Sequence, residues 1–271
     1  MTWLDEMFGT PKPVIGMVHF PALPGSPRYP AGSGLRVIEE RVLHDVQALQ
    51  NGGIDGLMFS NEDDRPYLTR YGPHVSSVMA AVVGRIRPEI TIPFGVDVLW
   101  DPIATLALAK ATGAGFVREV FTGAYAGDMG LWTTSAGETL RYRKSVDAED
   151  VKLLFNLSAE LAAPLATRPS AEQARSIVFS SLPDGLCVSG AGAGIPVAED
   201  ALAEAAGAVD IPVLANTGVR PDNASRLLAV ADGAIVGTAL KVGGHIWNQV
   251  DENRVRALME VAVEHRLSAA T

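Results

Sequence analysis

Ile211-Pro212-Val213-Leu214-Ala215-Asn216-Thr217-Gly218-Val219 is followed, after a helix-like stretch from Pro221 to Val230, by Ala231-Asp232-Gly233-Ala234-Ile235-Val236-Gly237-Thr238-Ala239-Leu240-Lys241. Each segment reads as a short buried strand that ends in glycine. Glycine at a strand's C-terminal end lets backbone N–H groups approach an anion with no Cβ in the way. In a parallel (βα)8 barrel the loops after strands seven and eight commonly bind phosphate in this manner. The pair therefore points to a TIM barrel that grips a phosphorylated small molecule through Gly218, Gly237 and Thr238. Tight turn packing is the plainer explanation of the same glycines.

Upstream, the chain repeats the alternation. Strands are expected at 14–19, 54–59, 91–98, 115–120, 151–157, 185–189, 212–215 and 234–236, with helices at 35–50, 75–86, 103–112, 137–145, 171–181, 199–208, 221–230 and 252–265. Strands alternating with helices imply parallel βαβ units, and this many favour a closed barrel over an open sheet. No Gly-x-Gly-x-x-Gly follows the first strand, so the dinucleotide fingerprint is missing where it belongs. Gly190-Ala191-Gly192-Ala193-Gly194 follows the sixth strand and reads as a loop at the barrel mouth. No linker or composition shift divides the chain, so one domain is expected over 1–271. Two long loops, 20–34 and 121–136, should follow barrel strands and cover the site.

Composition narrows the function. Of 271 residues, 48% are hydrophobic and 20% charged, enough for a large core. The net charge of −9 argues against a nucleic-acid partner, which needs clustered Lys and Arg. Arg141-Tyr142-Arg143-Lys144 is the nearest approach to a basic cluster and reads as a solvated helix face or an anion clamp. The lone Cys187 lies in an apolar run and reads as a buried, inert thiol. No secretory signal is visible at 1–6, and no run approaches the roughly 18 apolar residues of a membrane span. A cytoplasmic protein is expected, with homo-oligomerisation open.

Function in such a barrel collects at the C-terminal ends of its strands. Those ends offer His19, Asn61, Glu62, Asp63, Asp97, Arg118, Glu119, Asn156, Ser189, Asn216 and Thr238. His19 suits general acid/base work or metal ligation, or a hydrogen-bonded place at the rim. Asp97 and Glu119 could converge as an acid/base pair, or join His19 on a divalent metal; a salt bridge from Glu119 to Arg118 is the structural alternative. No His-x-His or His-Glu-x-x-His spacing supports the metal, and no other cofactor is called for. Asn156 is a further catalytic candidate. Asn61, Arg118, Ser189, Gly190 and Asn216 are candidates for holding the substrate. The acidic run Asn61-Glu62-Asp63-Asp64 reads as a solvated, helix-initiating loop in which Asn61 is best placed to touch ligand. Asp101 before Pro102 reads as a structural helix cap.

Gly16-Met17-Val18-His19-Phe20-Pro21-Ala22-Leu23-Pro24-Gly25-Ser26-Pro27-Arg28-Tyr29 resembles the BtpA/SgcQ family, as do Asp55–Tyr67, Ala104–Gly123, Arg141-Tyr142-Arg143 and Asp232–Lys241. The resemblance spans nearly the whole chain. It implies a TIM-type barrel related to the ribulose-phosphate-binding barrels. It also implies a divided function: cyanobacterial members are associated with photosystem I biogenesis, whereas SgcQ-like members sit among sugar-handling proteins. The chain departs from the family where an acid and a Lys-His pair are usual. Here Asn156 replaces the acid, and Glu160 and Leu161 replace the basic pair. The usual Asn-Asp after strand three reads Trp100-Asp101-Pro102. A reaction that needs the lysine and histidine is not carried over.

Three readings result. The first is an enzyme of isomerase, epimerase or lyase type acting on a sugar phosphate. The second is a non-catalytic assembly factor, against which the lack of a basic amphipathic docking helix counts. The third, a metal-dependent hydrolase, is weakened by the scarcity of histidines.

Overall fold

A computed structural model describes residues 2–269; residues 1, 270 and 271 of the expected domain lie outside the described span. The strands are β1 (Val14–His19), β2 (Gly56–Ser60), β3 (Phe94–Asp97), β4 (Phe116–Glu119), β5 (Gly123–Gly127), β6 (Gly130–Thr134), β7 (Lys152–Asn156), β8 (Ala162–Pro164), β9 (Gly185–Ser189), β10 (Val213–Asn216) and β11 (Gly233–Val236). The helices are α1 (Trp3–Phe8), α2 (Gly34–Asn51), α3 (Pro73–Ile86), α4 (Pro102–Thr112), α5 (Ala136–Ser145), α6 (Ser170–Ser181), α7 (Glu199–Ala206), α8 (Ala224–Val230) and α9 (Glu252–Ala269). Strands β1-β2-β3-β4-β7-β9-β10-β11 close into a parallel barrel, the expected TIM architecture. All eight barrel strands were anticipated, with ends shifted by up to three residues.

Local chemistry explains the outer ring. In α2, Ile38, Val42, Val46 and Leu49 recur on one stripe and are buried against the barrel. At α4 the Asp101 side chain accepts the Ala104 amide (3.0 Å) and that of Tyr71 (2.9 Å), Pro102 opens the helix, and Gly113 ends it in the left-handed region. The helices pack on a core that runs around the outside of the barrel, dominated by Val, Leu, Ile and Phe.

A second core fills the barrel. Ile15, Met17, Met58, Phe116, Leu154, Cys187, Leu214 and Ile235 interdigitate inside it. The Phe116 ring occupies the space where a side chain on Gly95 would stand, 2.4 Å from its ideal Cβ. The helix α1, absent from the sequence expectation, plugs the N-terminal end. Its Leu4 is fully buried in this core, and Phe8 takes the room left by Gly56. Thr2 and Asp5 form a reciprocal capping box that starts this short helix.

The stretch 121–136, expected as a loop, folds as the β5–β6 hairpin, and β8 pairs with β5 on its other edge. Tyr125 and Trp132 face each other across the hairpin and stack with ring centroids 4.6 Å apart. With Leu99, Trp100, Val120 and Ala159 they form a small aromatic core above the barrel. The loop 20–34 packs onto the segment after β2, through Leu23 to Asp64 and Arg28 to Asp63, and does not line the central cavity. Among the described residues, no helix is long and apolar enough to cross a membrane.

Candidate functional site at the barrel mouth

Period-two alternation turns the filled barrel into a polar floor. The apolar interior residues Met17, Met58, Phe116, Leu154, Cys187, Leu214 and Ile235 are followed two positions on by His19, Ser60, Arg118, Asn156, Ser189, Asn216 and Gly237; Gly95 is followed by Asp97. On every barrel strand but β11, where the position is Gly237, the interior residue at the mouth is polar. Above this floor opens a cavity of about 520 Å³, lined from the expected set by His19, Arg118, Glu119, Asn156, Asn216, Gly218, Gly237 and Thr238.

Arg118 organises the floor. Its Nη2 donates to Asp97 Oδ2 at 2.7 Å and its Nη1 to Asn216 Oδ1 at 3.0 Å, so one guanidinium spans from β3 to β10. Burial alone would weaken its hold on the proton, but Asp97 and Glu160 outweigh burial and raise its pKa. Asn216 extends the network, donating to Ser189 Oγ (2.7 Å) and Glu160 Oε1 (3.2 Å). Ser189 therefore serves beneath the cavity wall. Gly190 also stands outside the lining: its amide donates to Thr217 Oγ1, and a Cβ there would lie 2.3 Å from the Ile195 carbonyl.

Asp97 and Glu119 do converge, as the strand ends suggested, within hydrogen-bond reach of each other. Burial raises both, opposed at Asp97 by Arg118; Glu119 goes well above the usual carboxylate range, with the charge of Asp97 as the next cause. Asp97 is the partner of Arg118 in this pair. Glu119 accepts the Trp100 amide (2.7 Å) and that of Val120 (2.6 Å), and the salt bridge from Glu119 to Arg118 weighed above does not form. Trp100 is held at φ 68°, a left-handed conformation costly for an aromatic residue, with its ring against Trp132.

His19 sits over Gly237; a Cβ on that glycine would lie 3.2 Å from the imidazole Cε1. Burial first, then the positive charge of Lys241, hold its pKa well below the ordinary value, so the ring is neutral. Among the described residues, no three His, Cys, Asp or Glu side chains are grouped to hold a metal ion. Cys187 lies in the apolar layer, its thiol pushed by burial up to about 12.

Several expectations need correction. Asn61 is fully buried and its Oδ1 accepts the Leu99 amide at 2.8 Å, pinning the segment after β3; it does not line the cavity. Its neighbour Glu62, read as part of a solvated run, turns into the cavity instead. Burial, then repulsion from Glu160, lifts the Glu62 carboxyl to about 7, and the Tyr67 hydroxyl lies 3.4 Å from its Oε1. Glu160, noted above only as a replacement for a basic residue, lines the same cavity. Gly218 has φ 63°, and a Cβ there would strike the Pro196 backbone at 2.3 Å, so turn packing alone demands glycine at this position. Arg141 to Lys144 lie on α5 away from the cavity, where Arg143 donates to the carbonyls of Ala148 and Val151.

A match to the BtpA family runs over residues 10–264. The chain is 47% identical over 261 residues to the putative sgc region protein SgcQ of Escherichia coli (strain K12), covering 96% of this chain and 97% of that one. It is 36% identical over 265 residues to the photosystem I biogenesis protein BtpA of Synechocystis sp., covering 96% and 91%. Among solved structures it is similar in fold to the (S)-3-O-geranylgeranylglyceryl phosphate synthase of Thermoplasma acidophilum, in complex with its substrate sn-glycerol-1-phosphate (TM-score 0.62, 16% identity, 97% of this chain and 99% of that one). With a barrel closed as the sequence implied and a match along nearly its full length, the chain belongs to the BtpA family.

Proposed function

We propose that this protein is an enzyme that moves protons on a phosphorylated small molecule, a sugar phosphate or similar polyol phosphate, in an isomerase, epimerase or lyase reaction. The observation that carries the reading is Glu62. It lines the same cavity as the glycine-bearing segments after β10 and β11, and burial, then the charge of Glu160, raise its carboxyl to about 7. A general acid/base works best when its pKa lies near the working pH. Gly237 and Thr238 supply backbone N–H groups for phosphate, with Arg220 and Arg254 on the same wall. A relative of similar fold holds sn-glycerol-1-phosphate, which supports a phosphorylated ligand, and phosphate sites of such barrels commonly form after strands seven and eight.

On the opposite side, Arg118 polarises a hydroxyl or carbonyl. The paired carboxyls of Asp97 and Glu119 and the ring of His19 are the further stations for transfer, and the Asn156 amide orients the reacting group. The test is deuterium exchange: incubation with a panel of sugar phosphates in D2O should wash label into one C–H position. Glu62→Gln should abolish the exchange while binding persists. Tight binding with no exchange or turnover for any of them would sink the enzymatic reading and favour an assembly factor.

A further inference from the structure

Three neighbouring strands bring three unpaired polar atoms to one level of the barrel floor. In the parallel register His19 of β1 stands beside Ser60 of β2, and Ser60 stands beside Asp97 of β3. Each follows an interior residue by two positions (Met17, Met58 and Gly95), so the three side chains project into the barrel from strands about 4.8 Å apart. Ser60 and Asp97 are fully buried and His19 is nearly so. Yet His19 Nδ1, Ser60 Oγ and Asp97 Oδ1 each lack a hydrogen-bond partner among the described residues. Buried polar atoms are paired in the great majority of cases, so three orphans side by side call for an explanation.

Their chemistry is complementary. An imidazole nitrogen, a hydroxyl and a carboxyl oxygen can form one chain, because a hydroxyl donates once and still accepts. Asp97 spends Oδ2 on Arg118 at 2.7 Å, and a carboxyl oxygen has lone pairs enough to meet Ser60 as well as Glu119. Rotation about the Ser60 Cα–Cβ bond carries its Oγ among three staggered positions without moving the backbone. Ser60 does not line the cavity, so substrate cannot reach it as a nucleophile. His19 does line it, with its Cε1–Nε2 edge against Gly237. From this alignment we propose that Ser60 is a positioning residue, its hydroxyl donating to Asp97 Oδ1 and accepting the Nδ1–H of His19. The bridge fixes the tautomer whose Nε2 lone pair faces the cavity, ready to take a proton. An acid that orients a histidine through Nδ1 is a general device of acid/base catalysis, and here a serine carries the contact across one strand. Lys241, Arg118 and Arg41 oppose a second proton on the ring, and a chain ending on a carboxyl offsets part of that opposition. The use of the bridge rests on His19 as a proton station, but the bridge itself requires no ligand.

Long-range proton–nitrogen correlation NMR on isotope-labelled, ligand-free protein reads the tautomer directly. A His19→Gln variant identifies the ring among the five histidines. Wild type should show the Nδ1–H form, with the Nε2–H form about tenfold rarer, as one net hydrogen bond allows. Ser60→Ala should erase that preference, and Ser60→Thr, which keeps the hydroxyl, should retain it. The wild-type spectrum alone can overturn the bridge, by showing Nε2–H as the major form. So would an Nδ1–H preference that is indifferent to Ser60→Ala. Because no ligand is present, failure of the deuterium-exchange test and failure of this one are separate results.

Discussion

Glu62→Gln should make the ligand-free protein more stable above neutral pH. The side chain keeps its shape and can still accept the Tyr67 hydroxyl, so the change removes the titration and little else. Lifting a carboxyl from 4.5 to about 7 disfavours its ionised form by about 3 kcal/mol at full effect. Water in the open cavity screens part of this, leaving about 1–2 kcal/mol to measure. The direction follows from linkage: the folded state holds this proton more tightly than the unfolded chain. The favourable contribution is present below about pH 4.5 and is lost as pH rises through about 7. Asp97, Glu119 and Glu160 are raised too and His19 is depressed, so the informative quantity is wild type minus variant. Urea unfolding of both proteins at about pH 5 and about pH 8 gives that difference. The two should agree at the lower pH and diverge at the higher, with the variant ahead and its Tm raised by roughly 2–4 °C per kcal/mol. Parallel pH profiles, or a variant less stable at pH 8, would show that the carboxyl is not perturbed and would take Glu62 out of the mechanism.

Arg118→Met should cost about 3–5 kcal/mol in urea unfolding, because it strands Asp97 as a buried anion; a loss below about 1 kcal/mol would mean the floor is solvated. Gly218→Ala and Gly237→Ala should separate packing from binding. The first pushes a Cβ against the Pro196 backbone at positive φ and should lower the Tm markedly, while the second meets only the movable His19 ring and Met17 side chain and should leave the fold intact but weaken phosphate binding. Equal melting of these two variants would contradict the geometry. Lys241→Met should destabilise by about 3–5 kcal/mol, since Lys241 and Asp45 form a fully buried pair at 2.7 Å. Adding Asp45→Asn should recover part of the loss, because Asn can still accept the Val250 amide; no recovery would refute the unpaired-charge explanation.

The barrel was legible because each of its strands is a short apolar run bounded by turn residues, and β1 and β9 emerge with the expected ends. The hairpin was not. Gly123-Ala124-Tyr125-Ala126-Gly127 is too small and glycine-rich to read as a strand, and it is held by Tyr125 stacking on Trp132, a contact between segments. α1 is six residues long, below the length at which periodicity speaks, and its helix is stabilised by plugging the barrel. Within the site, the polar residues ending β1, β3, β4, β7 and β10 could be picked out because strand ends define the mouth. Glu62 and Glu160 lie on the following loops, where direction is set by tertiary packing. In a run such as Asn61-Glu62-Asp63-Asp64, composition does not say which carboxylate turns inward. Gly218 shows the converse: a glycine that resembles an anion cradle is also required by a neighbouring backbone.

A phosphate at the β10–β11 end of the cavity is the central requirement of the proposed function, and a thermal-shift titration addresses it most directly. Purified protein would be melted with phosphorylated sugars, with their unphosphorylated parents, and with inorganic phosphate. A ligand at about a hundred times its Kd adds about 2.7 kcal/mol to stability, well within reach of the method. The expected result is a rise in Tm with a phosphorylated compound that its parent fails to give and that Gly237→Ala diminishes. No rise with any phosphorylated compound, or equal rises with the parents, would contradict it.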